Sequence, residues 1–183
     1  MPTLYVCFLE NDQEIMERHW LNRMAAWVSP SDKAKIHVEL FFPEENRGEI
    51  VSGKACSIHY SGKVFLTKKN FSRKQWCFRT VSVNTEQLKR IRMFCEAHVG
   101  EHFNYMGYYL QPLRLPLTPY TPQWVGLSPR WFCSEICIEA LKAGGVLGDN
   151  VNASLHPQEL FEALQDATTA DSVRNYEKLD IQF

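Results

Sequence analysis

The run Ile36-His37-Val38-Glu39-Leu40-Phe41-Phe42 sets Ile36, Val38 and Leu40 on one side of an extended chain and His37, Glu39 and Phe41 on the other. Side chains of a strand point alternately to opposite faces, so this period of two commits the segment to a sheet with one apolar face. At its start the other face is polar. Further short β-prone runs stand at residues 4–9, 55–60, 64–66 and 76–83, each bounded by turn-forming or charged residues. Residues 43–53 read as a connecting loop. A meander of antiparallel strands is the expectation.

Helical spacing of apolar residues appears in four places. Ile15, Met16, Trp20, Met24 and Trp27 mark residues 13–28, and Ser29-Pro30-Ser31-Asp32 breaks the pattern. Leu88, Ile91, Phe94 and Cys95 mark residues 86–99, with Asn84-Thr85 as the cap and Gly100 as the stop. A third helix starts near Phe132 or Cys133 and stops at Gly144-Gly145, and a shorter one covers residues 157–166 with Leu160, Phe161 and Leu164 inward. Residues 111–130 carry Pro112, Pro116, Pro119, Pro122 and Pro129, too many for a regular element, and read as a long loop of the kind used as a lid or binding segment. Residues 165–183 form a tail. The expected fold is a single α+β domain over residues 1–183, with a small antiparallel sheet packed against helices.

Composition narrows the function classes. Lys+Arg 20 against Asp+Glu 21 leaves a net charge of -1, which removes the field that non-specific nucleic-acid or anionic-membrane binding requires. Lys63, Lys68, Lys69, Arg73 and Lys74, with Phe71, form a local basic cluster, but such runs are usually a solvated face, and no nucleic-acid partner is expected. No apolar run approaches the ~20 residues of a membrane span, and the amino terminus lacks a basic n-region and a cleavage site. A soluble cytoplasmic protein without a transmembrane segment is expected; nothing in the sequence sets its oligomeric state.

Six cysteines, at 7, 56, 77, 95, 133 and 137, are scattered through a chain without a secretion signal, which argues for reduced thiols. Cys133 and Cys137 have C-x-x-x-C spacing rather than the C-x-x-C usual for structural zinc, so no metal or other cofactor is expected. Cys133 opens a helix, where unpaired N–H groups and the positive end of the dipole favour a thiolate. It also fits as the first packing residue of the stripe Cys133, Ile136, Cys137, Ala140 and Leu141. A cysteine nucleophile needs a histidine and a third group to orient it. His19, His98, His102 and His156 read as surface residues, whereas His37 shares a strand face with Glu39. The two lie about 6.5–7 Å apart along the strand, too far for ideal direct contact yet close enough for the carboxylate to support an imidazolium.

The order of these features, His37-Val38-Glu39-Leu40 on a strand, a strand meander, a helix, Gly100-Glu101-His102-Phe103-Asn104-Tyr105, and then Phe132-Cys133-Ser134-Glu135 at a helix start, resembles the circularly permuted NlpC-type papain-like superfamily. It is most similar to the YiiX-like and poxvirus-type branch, with lecithin retinol acyltransferase-like proteins as more distant relatives. The resemblance implies a permuted papain-like domain in which Cys133 is the nucleophile and His37 the general base. The third group would be Glu39 or, on the next strand, His59 or Ser57. Phe103 and Asn104 stand where relatives commonly have tyrosine and aspartate. The implied activity is that of a cysteine peptidase or amidase on a peptide, isopeptide or acyl substrate, with Tyr120, Trp124 and Trp131 lining the substrate cleft. The alternatives are a lipid acyltransferase or thioesterase of the retinol acyltransferase-like type, and a non-catalytic binding module on the same fold.

Overall fold

The computed structural model describes residues 2–10, 35–47, 50–59, 62–72, 76–105, 129–166 and 176–178. The helix expected over residues 13–28 and nearly all of the proline-rich segment, with Tyr120 and Trp124, lie outside them. The architecture is α+β. Five antiparallel strands, β1 (Thr3–Glu10), β2 (Lys35–Arg47), β3 (Ile50–Ile58), β4 (Val64–Ser72) and β5 (Trp76–Ser82), stand in the order β4-β3-β2-β1-β5, and the short β8 (Tyr176–Lys178) adds to β5. Three helices are described: α1 (Thr85–His98), α2 (Cys133–Ala143) and α3 (Pro157–Asp166). Two short parallel strands, β6 (His102–Phe103) and β7 (Arg130–Trp131), lie between α1 and α2.

Residues 43–53 are not the expected loop. β2 continues through Pro43 to Arg47 and β3 begins at Ile50, with a register shift between Pro43 and Glu45. A bulge at that point accommodates the proline, which has no N–H to give the ladder. Opposite Pro43, a Cβ on Gly53 would stand 2.2 Å from the Phe42 carbonyl oxygen, so the close approach of the two strands requires glycine.

The alternation read in residues 36–42 organises both faces of the sheet. Leu4, Val6 and Phe8 of β1, Val38, Leu40 and Phe42 of β2, and Cys56 and Ile58 of β3 join Ile91 and Cys95 of α1 and Ile136, Cys137, Ala140 and Leu141 of α2 in the main core. The opposite face carries a second cluster of Cys7, Phe41, Val51, Ala55, Phe71 and Phe78. Only residues 73–75 separate β4 from β5, though these strands lie four places apart in the sheet. In a flat sheet four places amount to about 19 Å at ~4.8 Å each, whereas four Cα steps span about 14 Å. The sheet therefore curls until β4 comes back to β5, and Phe71 of β4 touches Trp76 of β5 at 4.7 Å between ring centroids. Its concave interior is the second cluster.

Both long helices follow from local chemistry. Asn84 caps α1 by accepting from the Gln87 N–H at 2.8 Å, and the Gln87 side chain accepts from the Asn84 N–H at 3.0 Å. α2 packs on α1, β2 and β3. A Cβ on Gly144 would meet the Ile91 side chain at 2.4 Å, so the glycine at the end of α2 also lets the two helices approach. No described helix is long and apolar enough to cross a membrane.

Candidate active site

The amino terminus of α2 is placed over the start of β2. β2–β3 pairing begins at Leu40 opposite Cys56, and nearer the start of β2 the backbone groups of Val38 take other partners. Its carbonyl accepts from Ser57 Oγ at 2.6 Å and from Cys137 Sγ at 3.8 Å, and its N–H donates to the Cys133 sulfur. The Ser134 N–H donates to the same sulfur, and the Cys133 and His37 side chains are hydrogen-bonded. Cys133 remains partly exposed.

His37 Nε2 lies 3.2 Å from Glu39 Oε1. The expected separation along the strand was too great for such contact, but that figure applies to the backbone. The two side chains rise from one face, and the longer glutamate leans along the strand to close the gap. Glu39 is fully buried. It also accepts from Lys69 Nζ at 2.7 and 3.0 Å. Of the alternatives for the third group, Ser57 is turned to the Val38 carbonyl, and His59 stacks on the His37 ring at 5.1 Å and 26° instead of bonding to its edge.

The electrostatics follow from these contacts. Burial by itself would lower the His37 pKa, but the Cys133 thiolate and the Glu39 carboxylate outweigh it and raise it to about 9. Burial opposes the Cys133 thiolate, yet the His37 charge, their hydrogen bond and the two backbone N–H donors hold the thiol below its ordinary range. Glu39 is likewise lowered despite burial, by His37 and Lys69. His59 is pushed down to about 4 by burial and by its cationic neighbours, so it is a neutral imidazole near pH 7. Four other thiols contrast with Cys133. Burial pushes up Cys7, Cys77 and Cys137, and the Cys56 contact together with burial pushes up Cys95.

Glu135, not singled out from the sequence, shapes the helix start. Its carboxyl is buried and accepts from the Phe132 N–H at 2.8 Å. Burial raises it to about 8, so at neutral pH it is held uncharged and does not oppose the neighbouring thiolate.

Trp131, expected to line a substrate cleft, is instead fully buried. Its ring N–H donates to Glu101, which also lies 2.8 Å from His98 Nδ1. His98 is correspondingly half-buried between Phe94 and Trp131 rather than at the surface, because the short β6–β7 pair pulls Trp131 in beneath the end of α1. This group braces the chain just before Cys133.

Among the described residues, one set of side chains has metal-ligand character: atoms of His37, Glu39 and His59 lie within 4.8 Å of one another. The set does not suit a resident ion. A metal lies in the plane of each imidazole that binds it, and two stacked rings share no such point near both nitrogens. The Lys69 ammonium, 3.4 Å from His59 Nε2 as well as on Glu39, already takes the cation position. Comparisons of the chain with known families, curated proteins and solved structures find no match. The fold and site define an α+β protein whose helix-start thiol, Cys133, is hydrogen-bonded to His37, itself paired with the buried Glu39.

Proposed function

We propose that this chain is a cysteine hydrolase, a peptidase or amidase of the permuted NlpC-type papain-like kind. The observation that carries the reading is a single imidazole, His37, hydrogen-bonded to a partly exposed helix-start thiol on one side and to a buried carboxylate on the other. Histidine strand first and cysteine helix later is the permuted order, and a sheet curled toward a barrel suits that superfamily.

Mechanistically, the Cys133 thiolate attacks the carbonyl carbon of an amide. The oxyanion is received by backbone N–H groups at the α2 start, each such donor being worth about 3 kcal/mol. The His37 imidazolium gives its proton to the leaving amine as the C–N bond breaks, leaving an acyl-thioester on Cys133 and a neutral imidazole. Water then attacks the thioester while His37 takes its proton. The C–S bond breaks, the acid product leaves, and the thiolate and imidazolium are restored. Glu39 holds the ring and favours the imidazolium throughout.

The test is electrophilic trapping with probes carrying a ubiquitin-like carboxyl-terminal segment, a peptidoglycan peptide or an acyl ester. At least one amide-mimicking probe is expected to label Cys133 in the wild type and to fail in Cys133→Ala and His37→Ala. Labelling by the acyl ester alone would move the assignment to an acyltransferase or thioesterase. Absence of Cys133 labelling by every probe would leave a binding module.

A further inference from the structure

We propose that Lys69 is a positioning residue for this site, holding the Glu39 carboxylate ionised and aimed at His37. The proposal rests on the cysteine-hydrolase reading and extends its chain of contacts from β2 to β4. Glu39 is fully buried, and its carboxylate contacts two cations, His37 on Oε1 and Lys69 on both oxygens. A buried carboxylate held by one imidazole alone could turn or take up a proton; a second cation on both oxygens opposes each.

Lys69 reaches Glu39 across an intervening strand. On the face between them β3 presents the small residues Gly53, Ala55 and Ser57. The ammonium also lies 4.6 Å from the centre of the Phe65 ring and 5.9 Å from that of Phe71, which favour a cation and fix its direction.

The groups facing His37 and Glu39 come from every neighbouring element: Cys7 from β1, His59 from just past the end of β3, Lys69 from β4, Trp76 from β5, and Cys133 and Cys137 from α2. Cys7 and Cys137 stay as thiols and His59 stays neutral at pH 7. With Cys133 as the thiolate, the charged set is Cys133, the His37 imidazolium, Glu39 and Lys69, with no net charge. Without Lys69 it keeps one uncompensated negative charge, and protons in the site are held to higher pH.

The experiment follows alkylation of Cys133 by iodoacetamide across pH 4–11, read on the Cys133 peptide by mass spectrometry, in wild type, Lys69→Met and Lys69→Arg. Methionine keeps the packing on Phe65 and Phe71 without the charge; arginine keeps the charge. The acid limb of Lys69→Met is expected to move up by about half a unit to one unit, and Lys69→Arg to stay on the wild-type curve. A Lys69→Met curve superimposed on wild type would reduce Lys69 to a packing residue and overturn the proposal, while a depressed wild-type limb would leave the hydrolase reading standing. An ordinary thiol limb in all three proteins would overturn the hydrolase reading and the role of Lys69 with it.

Discussion

At the residue scale, one imidazole stands between two acidic groups, the Cys133 thiol and the Glu39 carboxyl, and its pH behaviour follows with a definite sign. Turnover is expected to rise as Cys133 ionises below its ordinary range and to fall near pH 9 as His37 loses the proton that the leaving group needs. Because the thiol and imidazole interact strongly, both limbs belong to the pair. In Glu39→Gln a negative charge is removed beside His37 while Lys69 remains, so the alkaline limb should move down from about 9. Turnover should drop by about a hundredfold, the lower end of what general acid–base groups contribute. A pH–rate profile checks both, and an unmoved alkaline limb would remove Glu39 from the site. His37 and Cys133 were legible in the sequence, because strand alternation and a helix-start position are local signals. Lys69 was not, since from sequence its place in a basic run looked like a solvated face. What makes it part of the site is a long-range pairing, the alignment of β4 with β3 and of β3 with β2, which no local pattern reveals.

At the scale of elements, α2 carries a device for keeping a thiolate at its first residue. Glu135 closes the helix start through the Phe132 N–H but is held uncharged at neutral pH by burial. A carboxyl whose folded pKa is raised from 4.5 to about 8 contributes stability fully below about 4.5 and loses it as pH rises through about 8. Glu135→Gln has no such titration. Its melting temperature relative to wild type should therefore rise between pH 5 and pH 8.5, and thermal melts across that window would show it; a constant difference would mean that Glu135 is ionised in the fold. The starts and stops of α1, α2 and α3 were readable from caps, glycines and Pro157, all local features. The length of β2 was not, because Pro43 and the charged residues after it imitate a loop until a bulge and a partner strand absorb them.

At the scale of the whole molecule, strand order is what brings the site together. The short link at residues 73–75 would by itself suggest that β4 and β5 pair as a hairpin. Instead β5 pairs with β1, and the sheet closes on itself through Phe71, Trp76 and Phe78. Strand order is set by which apolar faces meet over long sequence separations, so alternation within each strand could give the faces but not the neighbours. Lys69 of β4 and His59, just past the end of β3, meet His37 and Glu39 of β2 near the start of α2. The most direct measurement is the pH dependence of Cys133 alkylation in wild type against His37→Ala. Wild type should show an acid limb well below that of an ordinary thiol, and His37→Ala should return it to the ordinary range or above, because burial then acts on the thiol without an opposing imidazolium. A wild-type limb in the ordinary thiol range, or one that His37→Ala leaves in place, would contradict a thiolate–imidazolium pair and with it the assignment as a cysteine hydrolase.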